Sequence, residues 1–248
     1  MNIIIIDTET TDINKCFCYN IGYVIANTEN NFILEKKNFI VEQIWHNLPL
    51  FTTAYYANKR ENYIKEMKCR KTKMLKFGYI CQEILRDIKK YNIVCGYAYN
   101  SSFDEKVFTF NCDWFKCVNP LENIPVYDIR GLVHNFLINN DFINFCEKNK
   151  KFTDSGNYST TAETVYQYIK NNVDFIEDHT ALSDSLIEYE ILKECIKNGG
   201  QYDKKYLAKK TIERKQEKTL IIKTNSEEFK FKCYKYKVYR NKNLIKID

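Results

Sequence analysis

Three apolar stretches in the first forty residues predict β-strands. Residues 2–7 form a continuous apolar run that ends in Asp7, which is the pattern of a central strand buried on both faces. Residues 20–27 and 31–41 follow, and the polar cluster between them predicts a turn. The chain is therefore predicted to begin with a buried strand and an antiparallel hairpin.

Beyond residue 41, apolar residues recur mainly with a helical period. Residues 48–73 are predicted to be mostly helical, with an aromatic patch followed by a basic stretch. Further helices are predicted at 75–91, from about 103, and at 129–138, 161–170 and 183–197, with strands at 93–98 and 126–128. This order predicts an α/β fold with a mixed five-stranded sheet flanked by helices, antiparallel at its start and parallel thereafter.

The segment 198–200, Asn-Gly-Gly, ends the last of these helices and predicts a domain boundary. Residues 1–200 then form the main domain, and residues 201–248 form a small basic β appendage with strands at 220–223 and 228–239. The formal charge divides at the same place, because residues 201–248 carry a net +9 and residues 1–200 a net −3. The overall charge of +6 is therefore concentrated in the appendage.

Aromatic residues and lysines alternate over most of the segment from Phe229 to Lys237. On a strand, the aromatic rings would face one side and the lysines the other. One interpretation is that bases stack on the rings while lysines bind phosphates. The other, which we favour for the rings, is that they pack on the body and leave the lysines in solvent to attract substrate electrostatically.

The composition, 44% hydrophobic and 28% charged, is that of an ordinary soluble globular protein. No apolar run approaches the roughly 18 residues of a membrane helix, and the N-terminal isoleucine run is too short for a signal peptide. We therefore expect a cytoplasmic protein with no membrane partner. Ten cysteines without a Cys-x-x-Cys pair, and only three histidines, predict buried free thiols rather than structural zinc.

Two acidic residues stand at the end of the first predicted strand. Asp7 and Glu9 are two positions apart, so in an extended segment both side chains point to the same side and can converge on one cation. Sites of open α/β sheets lie beyond the carboxyl ends of the strands, which is where this pair falls. Taken alone, however, an Asp-x-Glu pair is more often two solvent-exposed residues at the end of a strand than a metal site.

Two later motifs add polar groups at helix starts. Asn100 to Asp104 follows the buried strand 93–98, so Asp104 is expected at the same sheet edge, in the first turn of a helix. His179 and Asp184 lie just before and within the start of a late helix. Singly, each motif is more simply a helix cap, a dipole partner or a satisfied polar histidine.

Together the three motifs resemble the DnaQ-like DEDD exonucleases that carry a histidine in the last motif, the DEDDh family. That family has Asp-x-Glu on the first strand, an Asn-x-x-Phe-Asp element, and His-x4-Asp on a late helix, and all three occur here in order. The resemblance covers about residues 1–197 and implies a ribonuclease H-like fold. It implies 3′→5′ hydrolysis of phosphodiester bonds.

The resemblance also implies roles for individual residues. Two divalent cations, Mg²⁺ or Mn²⁺, would be held by oxygen ligands of the kind both ions prefer. The implied ligands are Asp7, Glu9, Asp104 and Asp184. His179 would orient and deprotonate the attacking water. The implied substrate-binding residues are Thr8, Thr10, Asn100 and Phe103.

A closer likeness concerns a subgroup of small stand-alone exonucleases common in tailed bacteriophages, which residues 53–56 and 175–181 resemble. One departure from the family is Asp12, where many relatives have Gly after Asp-x-Glu-Thr-Thr. Because Asp12 lies in the following turn, it is expected to alter the loop rather than the metal ligands.

Several alternatives stay open. The substrate is expected to be the 3′ end of single-stranded DNA or RNA, and no sequence feature measures recognition of the 2′-hydroxyl group. The chain could instead be a catalytically silent protein of the same fold that binds nucleic acid or docks a partner. The intact set of four carboxylates and one histidine argues against that alternative, and protein partners stay unknown.

Overall fold

Four consecutive isoleucines form the centre of the β-sheet in the computed structural model. The structure describes residues 1–12 and 16–214, and beyond them the backbone of residues 217–223 and 228–234. Ile4 and Ile6 are buried in one core cluster, and Ile3 and Ile5 in another on the opposite face of the sheet. A continuous apolar run is what a strand covered on both faces requires.

The main sheet has the strand order β4-β3-β2-β1-β5-β6. Its strands are β1 (Asn2–Thr10), β2 (Cys18–Asn27), β3 (Ile33–Val41), β4 (Lys73–Leu75), β5 (Ile93–Ala98) and β6 (Val126–Asp128). β1 pairs antiparallel with β2 and parallel with β5, and β5 pairs parallel with β6. The predicted mixed α/β sheet, antiparallel at its start and parallel thereafter, is confirmed.

The sheet has one strand more than the five that the sequence predicts. The sixth, β4, begins at Lys73, where the mostly helical interpretation of residues 48–73 ends. It pairs in parallel with Phe39–Val41 of β3 at the edge of the sheet. Its residues Lys-Met-Leu lie where two stretches interpreted as helical, 48–73 and 75–91, meet, so this strand depends on its tertiary pairing rather than on a local pattern.

Helices cover both faces of the sheet. They are α1 (Glu42–Trp45), α2 (Leu48–Phe51), α3 (Arg60–Lys68), α4 (Phe77–Lys90), α5 (Ser101–Phe115), α6 (Ile129–Phe136), α7 (Asn140–Asn149), α8 (Ala162–Lys170) and α9 (Ala181–Lys197), with a 3₁₀ turn at Ala57–Lys59. Polar side chains define several of the starts: Asn139 and Thr161 accept hydrogen bonds from backbone N–H groups three residues ahead and so cap α7 and α8.

Helix α9 approaches the sheet closely at Gly22, in the middle of β2. A Cβ atom at this position would lie only 2.0 Å from the backbone nitrogen of Leu182 and 2.2 Å from the carbonyl carbon of Ala181. The hydroxyl of Ser185 donates a hydrogen bond to the Gly22 carbonyl oxygen at 3.0 Å. The absence of a side chain at Gly22 therefore allows the first turn of α9 to lie directly on the strand.

Residues 201–214 pack against the body of the fold. The carbonyl oxygen of Tyr206 approaches Gly131, the Lys209 N–H donates to His134 Nδ1, and Arg214 pairs with Glu147. The boundary proposed at residue 200 thus does not coincide with the end of these contacts, and the division into two domains stays a prediction. Strands β7 (Glu217–Lys223) and β8 (Glu228–Tyr234) pair antiparallel with each other. The side chains of the aromatic and lysine alternation lie outside the described residues.

The described cysteines are free. Three of them, Cys81, Cys112 and Cys117, place their sulfur atoms within 4.8 Å of one another. They belong to, or pack against, an apolar core cluster on one face of the sheet. Among the described residues, no helix combines the length and apolar character needed to cross a membrane.

Candidate metal and catalytic site

The carboxyl end of β1 presents two carboxylates on one side and a hydroxyl on the other. Asp7 and Glu9 are partly exposed, whereas Thr8 between them is buried. Burial, followed by the charge of Asp104, raises the pKa of Asp7 well above its ordinary value. Burial also raises the pKa of Glu9 to about 8. Both carboxyl groups are therefore difficult to ionise in this place without a compensating positive charge.

Asp104 joins the group from the first turn of α5, directly after β5. It is only 2% exposed, and the Thr8 hydroxyl donates a 2.7 Å hydrogen bond to its Oδ1. Burial raises the pKa of Asp104 to about 7, although the Thr8 hydrogen bond acts in the opposite direction. The bond holds Asp104 against β1, and the effect of its charge on the pKa of Asp7 shows that the two carboxylates are close to each other.

The turn before α5 is fixed by another carboxylate. Asn100 has a left-handed backbone conformation, φ 66°, and makes no side-chain cap bond to α5. Its N–H donates to Asp128 Oδ1 at 2.9 Å, and the same oxygen accepts from the Arg130 N–H at 2.8 Å. Asp128 therefore caps α6 and also fixes the turn before α5.

Asp184, in the first turn of α9, completes the group. Carboxylate oxygens of Asp7, Glu9 and Asp184 all lie within 4.8 Å of one another. Asp104 falls outside this closest set, yet its charge raises the pKa of both Asp7 and Glu9. The structure thus brings together the four carboxylates that the sequence motifs single out, from three elements far apart in the chain.

The donor atoms of this group suit a hard divalent cation. Burial, followed by the charges of Glu177 and Glu9, raises the pKa of Asp184 to about 9. The Oδ1 atom of Asp184 is buried and has no hydrogen-bond partner among the described residues. An unsatisfied buried oxygen among mutually repelling carboxylates is what a cation with oxygen ligands would stabilise. The residues therefore fit Mg²⁺ or Mn²⁺.

His179 lies in the segment just before α9 and has a left-handed backbone, φ 49°. Its ring stacks on that of Tyr56, with the centroids 4.3 Å apart and the planes at 13°. Its Nδ1 atom is 3.6 Å from Glu177 Oε2. Burial, and then the charge of Lys59, lower the pKa of His179 below its ordinary value of 6.5. The imidazole is therefore neutral near pH 7 and able to accept a proton.

Lys59 brings a positive charge to the acidic group from the 3₁₀ turn. Its ammonium donates a hydrogen bond to the Asp178 carbonyl oxygen, which ties the turn to the segment that carries His179. The charge of Lys59 acts against the burial effect on the pKa of Glu9, Asp184 and Glu177. Lys59 also lies over the Tyr56 ring, 4.9 Å from its centroid.

The predicted substrate-binding residues occupy different environments. Thr10 is the last residue of β1, next to a register shift in its pairing with β2. Asn100 is exposed at the start of α5, and Phe103 is partly buried against a core cluster. Thr8 uses its side chain to bind Asp104, which leaves its backbone as the part available to a nucleotide.

Sequence reasoning missed residues that surround the carboxylates. Tyr56 was noted only as part of the segment 53–56 that resembles phage exonucleases, and Lys59 only as part of a mostly helical stretch. A stacking partner of His179 cannot be inferred from spacing. Glu188 is a further buried carboxylate, one helical turn after Asp184. Glu188 could have been identified from the sequence, because positions i and i+4 share one face of a helix and an acidic residue on a buried face is unusual.

Neither a protein-family model nor a curated protein sequence matches this chain. Solved structures do match it in fold. The nuclease domain of 3′hExo, a DEDDh family member bound to rAMP, superposes with a TM-score of 0.55 at 15% identity, over 80% of this chain and 92% of that chain. The chain has the fold of the DEDDh exonucleases.

A second structure agrees with the first. It is a 3′-exonuclease in a structure of 3′-end-specific recognition of a histone mRNA stem-loop, with a TM-score of 0.53 at 13% identity. The alignment covers 93% of this chain and 90% of that chain. The ribonuclease H-like architecture implied by the three motifs is thus confirmed, and at such low identity the likeness concerns the fold.

Proposed function

We propose that this protein is a metal-dependent 3′→5′ exonuclease that acts on single-stranded DNA or RNA. The observation that carries the proposal is the convergence of the carboxylates of Asp7, Glu9 and Asp184 within 4.8 Å, with Asp104 beside them. A neutral histidine adjoins this group. Because the chain has the fold of exonucleases, this group of acidic residues is better explained as a metal site than as a chance cluster.

Asp7, Glu9, Asp104 and Asp184 would hold two divalent cations, Mg²⁺ or Mn²⁺. When bound, such a pair supplies an activated water and neutralises charge on the phosphate and on the departing 3′-oxygen. The protein's contribution is to keep the four carboxylates close enough to share the cations. In the metal-free protein, burial and the closeness of the other carboxylates disfavour the charged form of each group and so raise its pKa.

His179 would act as the general base, accepting a proton from the attacking water at a ring nitrogen. The Tyr56 stack orients the imidazole plane, and burial, followed by the Lys59 charge, lowers the pKa of His179 and so favours the unprotonated ring. Thr8 and Thr10 would offer backbone groups to the terminal nucleotide, and Asn100 and Phe103 would contact it near the start of α5. Binding of a free 3′-hydroxyl group at this place would make the enzyme degrade its substrate from the 3′ end.

The decisive experiment uses 5′-labelled single-stranded DNA and RNA of matched sequence, with Mg²⁺, with Mn²⁺ and with EDTA. We expect products that shorten from the 3′ end and that EDTA abolishes. The relative rates on the two substrates identify the preferred sugar. Binding of either oligonucleotide without any cleavage would instead favour the catalytically silent alternative.

The pH dependence tests the role of His179. Because the neutral imidazole is the active form and its pKa is lowered, we expect the acid limb of kcat/KM to lie below pH 6.5. Lys59→Gln should move the limb to higher pH, since it removes a charge that lowers the pKa. His179→Ala should reduce kcat by about 10²–10⁴-fold.

The exposed Lys68→Gln is the matched charge control and should leave the limb in place. An acid limb that is the same in the wild type and in Lys59→Gln would contradict the assignment of His179 as the titrating base.

A further inference from the structure

Three cysteine thiols meet between α4 and the C-terminal end of α5. Cys81 lies in α4, Cys112 in the last turn of α5, and Cys117 two residues after that helix ends. Their sulfur atoms all lie within 4.8 Å of one another, and the Cys117 thiol donates to Cys81 Sγ at 4.0 Å. A cysteine can serve as a small apolar group or as a metal ligand, and the arrangement of the three sulfurs distinguishes these uses.

The backbone places Cys117 beside the other two thiols. Lys116, which caps the end of α5, has a left-handed conformation with φ 56°, and the Cys117 N–H donates to the Cys112 carbonyl oxygen at 3.1 Å. The chain therefore turns back over the end of the helix. A Cβ atom at Gly78 would lie 3.5 Å from the Cys117 Cβ, so Cys117 also packs against the first turn of α4.

The spacing of the sulfur atoms is that of thiolates bound to one cation. A Zn–S bond is about 2.3 Å long, so two thiolates on the same ion lie about 3.8 Å apart in a tetrahedral site and about 4.0 Å apart in a trigonal one. The 4.0 Å between the sulfurs of Cys81 and Cys117 agrees with this spacing. Phe77 stacks on Phe115 with the ring centroids 5.4 Å apart, so the two helices are joined here without an ion.

The surroundings of the three thiols suit a soft cation. Cys81 and Cys112 are 1% and 5% exposed in an apolar core cluster, whereas Cys117 is partly exposed. Cys117 thus leaves a route for an ion and for a water molecule as a further ligand. A hydrogen bond with Cys81 lowers the pKa of Cys112, which favours the thiolate form that binds metals. Thiolates select soft cations such as Zn²⁺ and Cu⁺, whereas Mg²⁺ prefers oxygen ligands.

We propose that Cys81, Cys112 and Cys117 form a three-thiolate site for Zn²⁺, with its fourth position open to water. Three thiolates leave a net charge of −1 with Zn²⁺ and −2 with Cu⁺, and the larger charge is more costly in an apolar core. The bound ion links α4 to the end of α5. No Cys-x-x-Cys pair marks this site in the sequence, because Cys81 comes from a different helix.

The thiol site is separate from the candidate metal and catalytic site. Cys112 lies eight residues after Asp104, which is about 12 Å along α5. The ligands also differ in kind, since one group offers sulfur and the other offers carboxylate oxygen. The inference therefore does not depend on the proposed exonuclease function, and the two can be tested apart.

The test is metal binding by the whole reduced protein, with Co²⁺ as the probe and with enough Mg²⁺ to saturate the carboxylates. Charge transfer from sulfur to Co²⁺ gives a near-ultraviolet absorption that carboxylate ligands do not produce. We expect one thiolate-bound Co²⁺ per chain, which one equivalent of Zn²⁺ displaces. Asp7→Asn should keep this absorption, because it alters only the carboxylate group.

Cys117→Ser is the informative variant, because Cys117 is partly exposed and serine is similar in size, so the fold is expected to persist. It should lose most of the sulfur-to-cobalt absorption and weaken Zn²⁺ binding by at least about 100-fold, since one of three protein ligands is removed. Cys69→Ser, which changes an exposed cysteine outside the cluster, is the matched control and should bind both ions as the wild type does.

Thermal unfolding in Mg²⁺ gives a second readout. Zn²⁺ should raise the Tm of the wild type and of Cys69→Ser, and should leave the Tm of Cys117→Ser unchanged. A reduced wild type without sulfur-to-cobalt absorption would overturn the inference, and this measurement needs no variant. Equal Zn²⁺ affinity of Cys117→Ser and the wild type would overturn it as well. Either result leaves the proposed exonuclease function intact.

Discussion

Asp7→Asn is expected to lower kcat/KM by at least about 10³-fold and to raise the Tm of the metal-free protein. The loss of activity is expected because Asp7 is one of the four carboxylates proposed to hold the divalent cations, and removing one electrostatic stabiliser of a transition state costs about 10²–10³-fold even in simpler sites. The gain in stability is expected because burial and the neighbouring acidic side chains disfavour the charged form of Asp7 in the metal-free protein. Asparagine carries no charge and avoids this destabilisation. Stability and activity therefore oppose each other at this residue.

The measurements for Asp7→Asn are degradation of the 5′-labelled oligonucleotide in Mg²⁺ and thermal unfolding in EDTA. Asp113→Asn, an exposed carboxylate on α5 more than two helical turns after Asp104, is the control and should change neither quantity. Cleavage by Asp7→Asn at the wild-type rate would show that Asp7 holds no catalytic cation. A lower Tm of Asp7→Asn in EDTA would show that the Asp7 carboxylate makes a stabilising contact in the metal-free protein, which contradicts the expected gain in stability.

Gly22→Ala is expected to disrupt the site without touching a single acidic side chain. The new Cβ would meet the backbone of Ala181 and Leu182 at 2.0–2.2 Å, so the first turn of α9 must move away from β2. We expect the free energy of unfolding to fall by about 1–3 kcal/mol or more. Because His179 and Asp184 move with that turn, we also expect activity to fall by about 10²-fold.

Gly78→Ala is the matched control, because a Cβ there meets only Cys117 Cβ at an ordinary 3.5 Å and the residue lies within α4. It should be neutral or slightly stabilising, since Ala favours a helix over Gly by about 1 kcal/mol. Chemical denaturation and the oligonucleotide assay measure both variants. Equal stability of Gly22→Ala and wild type would mean that α9 does not lie against β2 as described.

Much of the fold could be predicted from the sequence, because its strongest signals are local. The uninterrupted run from Ile3 to Ile6 predicted a central strand, and the helical period of residues 183–197 predicted α9. The short edge strand β4 was missed, because it lies where two stretches interpreted as helical meet and its partner β3 is more than thirty residues away. The number of strands was therefore underestimated while their directions were correct.

The candidate site was predictable to a similar extent. Asp7 and Glu9 follow from strand alternation, and the parallel strand before Asp104 predicts that residue at the same edge, whereas Asp184 was assigned to the site only through the resemblance to the exonuclease family. Tyr56 and Lys59 were not predictable as site residues, because their approach to His179 depends on the path of an irregular segment. The hydrogen bond from Thr8 to Asp104 joins residues 96 positions apart, which no local pattern can reveal.

The acidic residues enter the site from β1, α5 and α9, and the last of these helices ends at Lys197. During translation the chain emerges from its N-terminus, so Asp7 and Glu9 leave the ribosome about 175 residues before Asp184 does. A growing chain that ends before residue 179 thus has neither His179 nor Asp184. Such a chain, still held on the ribosome beside its own messenger RNA, cannot assemble the proposed hydrolytic centre.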